Sequence, residues 1–293
     1  MTLEIFLRLL VAGLMIGSVY ALIGMAYSLV YRGTRLINWA QGDFFMVGAF
    51  VGYTFVGPLG MPYWAALLAA GGAMFLFGAA THGTIVRVIT RRGGRLVDVL
   101  LATIGLSIVL QNAVSLLWGT DVKQIPSPLP GTFAAGPVLV PNQSLAVLGV
   151  SVATVVAIYL FLYRTPFGMT MRASAENRYA ASVVGIRTGR VDAVTWGLAA
   201  AVCGIAGVML APLFGAHFYM GVTVGLKGFA AAVVGGFGNP WGALVGGLML
   251  GVLETFGAFV LSSPWRDAVT MLVLIVFLIV RPTGLFRSEA FHD

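Results

Sequence analysis

Charge is scarce in this sequence. Asp, Glu, Lys and Arg supply 9% of its 293 residues, against about 25% in a typical water-soluble domain. A chain that is 59% apolar cannot cover itself with so few ionised groups, so lipid is the solvent it is built for. Cysteine is nearly missing too. Cys203 stands alone inside an apolar run, which excludes an intrachain disulfide and suits a small packing residue. The three histidines, His82, His217 and His292, have no second ligand at metal spacing. No Ser/His/Asp or paired-carboxylate arrangement points to hydrolysis, and no Gly-x-x-x-x-Gly-Lys-Ser/Thr loop is present to cradle a nucleotide phosphate.

Long apolar runs and glycine fill the space these absences leave. A membrane crossing needs about 20 mostly apolar residues, and the clear candidates are roughly 8 to 30, 38 to 56, 62 to 83, 97 to 118, 144 to 163, 192 to 213 and 265 to 280. The first run is too long for a signal-peptide core and reads as a retained span. The stretch from 224 to 260 is interrupted by Gly235-Gly236-Phe237-Gly238-Asn239-Pro240, so it is two spans or one broken, re-entrant element. The 39 glycines fit helices that approach closely in lipid. The expected fold is an all-α polytopic membrane protein of eight or nine transmembrane helices, a single transmembrane domain over 1–293.

The net charge of +7 does not indicate nucleic acid, because the cations lie between the apolar runs rather than on one surface. Arg32 and Arg35 share one linker, Arg87, Arg91, Arg92 and Arg95 a second, Arg164, Arg172, Arg178, Arg187 and Arg190 a third, and Arg281 and Arg287 the tail. Placing these on the cytoplasmic side favours nine crossings, with the amino end outside and the carboxyl end inside. The charge-poor loops Gly119 to Gln143, Gly215 to Val222 and Ser262 to Asp267 then face outward.

The linker over 164–190 contains a short helix by its signals. Ser174 is a suitable cap, Glu176 falls near the positive end of the dipole, and Gly185 suits the position after the last turn. Ala180, Val183 and Val184 share one face of it. Such a helix fits a groove in another protein, and equally an interfacial helix lying along lipid headgroups.

The run Arg172-Ala-Ser-Ala-Glu176-Asn-Arg178-Tyr-Ala180-Ala181-Ser-Val-Val-Gly185-Ile186 resembles the coupling-loop signature of permeases in the branched-chain amino acid family of ATP-binding cassette importers. Similar likeness lies in Leu36-Ile-Asn38-Trp-Ala-Gln41-Gly42-Asp43, in Thr103-Ile-Gly105-Leu-Ser107-Ile-Val-Leu-Gln111-Asn112, in the glycine-rich run from Gly235 to Gly247, and in Gly17-Ser18-Val-Tyr20-Ala21. The chain departs from the common pattern at Gln41, where the family often has His, and in the extra pair Gly93-Gly94. The resemblance covers nearly the whole chain and is strongest to the first of two paired permease subunits. It implies that Arg172, Glu176, Arg178, Ala180, Ala181, Gly185 and Ile186 contact an ATPase. It also implies a bacterial-type inner membrane, a second related permease subunit, two ATP-binding subunits that hold the ATP and magnesium, and a soluble substrate-binding protein. The chain itself would be neither an enzyme nor a holder of a cofactor. Solutes associated with the family include branched-chain amino acids, urea and short amides.

Polar residues within apolar runs are costly in lipid, so each is a candidate for a path or a packing contact. Asn38, Gln41, Gly42 and Asp43 open the second run, Gln111 and Asn112 lie in the fourth, Gly236, Gly238 and Asn239 mark the break, and Glu254 follows it. Helices broken at Asn38 to Gly48 and Gly235 to Gly247 would offer backbone groups to a small zwitterion, and these two segments are candidates for a degenerate inverted pair. A stand-alone secondary transporter or channel is the competing reading, with Asp43 and Glu254 as its ion sites.

Overall fold

In the computed structural model, residues 3–135, 138–281 and 283–286 are described; Arg287 and His292 lie outside them. The chain is helical almost throughout. Its elements are α1 (Leu3–Thr34), α2 (Gln41–Val56), α3 (Tyr63–Thr81), α4 (Arg87–Arg91), α5 (Leu96–Trp118), α6 (Asn142–Arg164), α7 (Pro166–Glu176), α8 (Arg178–Val183), α9 (Thr188–Phe214), α10 (Met220–Gly235), α11 (Pro240–Leu261) and α12 (Arg266–Val280). A π-helical turn, His82–Val86, joins α3 to α4 as one rod, Tyr63–Arg91. Among the described residues, six helices are long and apolar enough to cross a membrane: α1, this rod, α5, α6, α9 and α11. Helices α2, α10 and α12 have 16, 16 and 15 residues, about 22–24 Å at the α-helical rise, short of the roughly 30 Å hydrocarbon core. The long stretch over 224–260 is two helices, α10 and α11, parted at 236–239.

Local chemistry explains the boundaries. Asn239 accepts from the amides of Trp241 and Gly242 at 3.0 and 3.2 Å, and Pro240 opens α11 where its missing N–H costs nothing. Thr165 and Pro166 start α7 in the same way, with Thr165 Oγ1 accepting from Gly168 N at 3.0 Å. Gly236 and Gly238 take φ of 113° and 90°, a turn open to glycine and strained for other residues.

Helices α1, α2, α9, α10 and α11 form the centre. Trp196, Phe44, Phe45, Phe50 and Met25 are fully enclosed there. On α5, α6 and α12, by contrast, Leu101, Ile108, Leu116, Val152 and Ile279 point outward, apolar surface that suits acyl chains. The central helices meet backbone to backbone. A Cβ on Gly17 of α1 would come within 2.8 Å of the Gly247 carbonyl on α11, so glycine is what admits this approach.

The Pro-rich loop after α5 carries a feature the sequence reading did not contain, an antiparallel hairpin of β1 (Thr132–Ala135) and β2 (Val138–Pro141). Lys123 of that loop pairs with Ala216, between α9 and α10, through two backbone hydrogen bonds of 2.9 and 2.8 Å.

Candidate functional site

The chain between α1 and α2 is not helical, and Asn38 and Ala40 within it are buried. Arg35 ends α1 in a left-handed conformation, φ 57°, and residues 35–40 run inward until α2 begins opposite Ala199 and Cys203, near the middle of α9. Backbone groups at such depth need partners. Trp39 N donates to Thr103 Oγ1 at 3.1 Å, and Ala40 N donates to Asn38 Oδ1 at 3.1 Å. Asn38 in turn donates to Gln41 Oε1 at 2.8 Å, and Gln41 Nε2 donates to Ala199 O at 3.2 Å. Asn38 and Gln41 thus brace the break against α9.

Asp43 does something different. Its Oδ1 accepts from Gln111 Nε2 at 3.1 Å, and the same amide reaches Ser107 Oγ at 3.1 Å. Asp43, Ser107, Trp39, Tyr27 and Gly42 line a cavity of about 120 Å³ that Gly221 and Gly225 of α10 close, room for several waters at the roughly 10–15 Å³ each requires. A Cβ on Gly42 would fall on the Gly221 carbonyl oxygen. Asn112 stays apart from this group: it is exposed, and its Nδ2 donates to Ile108 O of its own helix at 2.8 Å.

Glu254 belongs to a second, separate cluster. It is wholly buried, and Lys227 Nζ stands 2.9 Å and Arg266 Nε 2.5 Å from its Oε1. Tyr20 OH donates to Oε1 at 3.2 Å and Thr270 Oγ1 to Oε2 at 3.0 Å. Lys227 also pairs with Asp267 at 2.7 Å. Beside this cluster lies a larger cavity of about 220 Å³, lined in part by Tyr20, Lys227 and Arg266 and also by Gly215 and His217. Sequence reasoning missed Lys227, although a single Lys within the apolar run of α10 was the available signal.

Gly236, Gly238 and Asn239 lie at neither cavity. Their turn packs on the chain after α12, where Leu285 N and Phe286 N donate to Val234 O and Gly235 O at 2.9 and 3.0 Å, and Phe237 meets Tyr31 edge to face near the end of α1.

In the 164–190 segment the helix is split. Ser174 sits buried inside α7, and the cap of the following helix is Asn177, which accepts from Ala180 N at 2.9 Å; Glu176 therefore ends α7 rather than opening α8. Gly185 takes φ of 88° just past the helix, and Ile186 N returns to Ala181 O at 3.0 Å. Ala181 is buried, while Tyr179, Val183 and Val184 are 80%, 69% and 75% exposed. Arg178 is ion-paired to buried Asp192 at the start of α9, and His82 Nε2 of the π-helical turn lies 3.8 Å from the same carboxylate. Arg172 stacks over the Tyr163 ring at 4.8 Å.

Comparison with known proteins adds to this geometry. A family described as branched-chain amino acid transport system / permease component matches residues 9–278. The high-affinity branched-chain amino acid transport system permease protein BraD of Pseudomonas aeruginosa is 37% identical, covering 96% of this chain and 95% of that protein. LivH of Escherichia coli, with the same description, is 35% identical over the same shares. Among solved structures, PsaBC from Streptococcus pneumoniae in complex with Fab aligns with a TM-score of 0.53 at 11% identity, over 96% of this chain and 93% of that one; this shows likeness of fold alone.

Proposed function

The chain belongs to the branched-chain amino acid transport system permease family, and from that membership we propose that it moves branched-chain amino acids through the membrane on energy supplied by separate ATPase subunits. It is the membrane-spanning permease component of such an importer. Its partners are a second related permease subunit, two ATP-binding subunits that carry ATP and magnesium, and a soluble substrate-binding protein. The membrane is a bacterial inner membrane, with the arginine-bearing loops and the carboxyl end in the cytoplasm.

The observation that carries the coupling is the surface of α8. Tyr179, Val183 and Val184 form an apolar tip on a helix fastened to α9 by Arg178 and Asp192. A tip of this kind fits a groove in a partner, and its tie to α9 supplies a lever into the helix that braces Asn38 and Gln41. Residues 164–190 are therefore the contact with the ATPase. Closure of the ATPases shifts α8 and α9 and, through them, the break before α2; the cavity beside Asp43 lies on the solute path. Ion-gradient coupling draws no support from the geometry, since Asp43 lines one cavity while Glu254 is enclosed in a separate cluster and already neutralised by two cations.

The test is uptake of radiolabelled leucine by proteoliposomes holding the complete complex, with ATP inside or with a proton gradient alone. Accumulation that requires ATP and hydrolysis is expected; accumulation on the gradient alone, without any ATPase subunit, overturns the reading.

A further inference from the structure

The larger cavity has two ends of unlike chemistry. One wall is aliphatic and aromatic, formed by Ile16, Val19, Leu210, Phe214, Met220 and Val224; the other end presents Tyr20, Lys227 and Arg266. We propose that this cavity is a binding site for the intact branched-chain amino acid within this subunit, on the face opposite the arginine-bearing loops; the proposal rests on the transport reading above and assigns its substrate a place.

The match is to a zwitterion with an aliphatic tail. An isobutyl or sec-butyl group is released from water against the apolar wall. The charged end has cations and anions in equal number, Lys227 and Arg266 against Glu254 and Asp267, and the four differ in how firmly they are held. Glu254 is enclosed, with Tyr20, Thr270, Lys227 and Arg266 around it. Asp267 is 67% exposed and bound to Lys227 alone among the ion pairs of the cluster. A solute carboxylate therefore has one displaceable partner to replace, Asp267 on Lys227 Nζ, and the freed Asp267 carboxylate is left to accept from the solute ammonium. Charge balance is kept at each stage, which is what a low-dielectric site requires. The smaller cavity lacks this complement. Its lining contains Asp43 and no Lys or Arg, so it offers nothing cationic to a carboxylate.

The test uses thiols placed in the cavity of the complete complex. Cys203 is fully buried and serves as a silent background. Thr223→Cys and His217→Cys, two cavity-lining positions, are each labelled with a membrane-impermeant methanethiosulfonate in proteoliposomes; two positions guard against one substitution that fails to assemble. Leucine or isoleucine should slow labelling about tenfold at ten times its dissociation constant, as occupancy dictates. Leucinol, which lacks the carboxylate, should not. Adding Val224→Phe to fill the apolar wall should raise the half-protecting leucine concentration about tenfold or more. Labelling indifferent to leucine in vesicles that accumulate leucine on ATP overturns the cavity assignment, as does protection by leucinol equal to that by leucine. If the unsubstituted complex fails to accumulate leucine on ATP, the transport reading itself falls instead.

Discussion

Lys227→Met removes a cation from the most heavily charged buried point among the described residues while keeping most of the unbranched length of the side chain. In the parent, Glu254 is completely enclosed and balanced by Lys227 at 2.9 Å and Arg266 at 2.5 Å. Breaking a buried pair by deleting one partner costs about 3–5 kcal/mol, because the other charge is left uncompensated. Arg266 remains beside the carboxylate, and Asp267, being largely exposed, recovers water and loses little. The lower end of the range therefore applies, about 3 kcal/mol, or roughly two orders of magnitude in the folding equilibrium. Replacing Glu254 by Gln in the same chain should recover most of that loss. The amide oxygen still accepts from Tyr20, the amide N–H donates to the Thr270 hydroxyl in place of the bond it received, and Arg266, with its side chain 32% exposed, turns to solvent. Denaturant titration of the purified chain in mixed micelles measures both variants. The reasoning is refuted if Lys227→Met is as stable as the parent, or if the double substitution is no more stable than the single one.

Three further outcomes are expected. Gly185→Val places a β-branched residue at φ 88°, a strain of about 1–3 kcal/mol concentrated at the end of α8; ATP hydrolysis should continue while leucine uptake falls, and wild-type coupling would count against α8 as the ATPase contact. Gly42→Val sets a side chain on the Gly221 carbonyl and against Gly225, so uptake should be abolished and α2 driven from α10, read as loss of a crosslink between cysteines on those helices. Asn239→Ala removes the acceptor of two amides at the start of α11; a loss of about 1 kcal/mol should appear in the same micelle titration, with transport largely intact.

The apolar runs made most helices legible, because a span must be long and apolar wherever it goes. The Gly-Gly-Phe-Gly-Asn-Pro interruption likewise announced the turn between α10 and α11 through residues whose backbone preferences are strong. Pairings across the fold were harder. Lys227 and Glu254 are 27 residues apart and meet only because α10 and α11 fold back on each other, so attention to acidic residues found one half of the pair. Gln111 and Asn112 were equivalent as letters, yet neighbours on a helix point about 100° apart, and one meets Asp43 while the other faces away. The cap of α8 was misplaced for a related reason. Ser174 and Asn177 are both good caps, but Thr165 and Pro166 had already started α7, which carries Ser174 into its interior. The hairpin in the loop after α5 left no strong mark, because two four-residue strands need little patterning to pair.

The stitch between Lys123 and Ala216 has a mechanical consequence. Since both of its hydrogen bonds are main-chain, only proline at either position removes a donor outright, and the wall of the larger chamber at Gly215 is yoked to a loop far along the chain. A displacement of that loop is therefore passed through the main chain itself to the segment that borders the chamber.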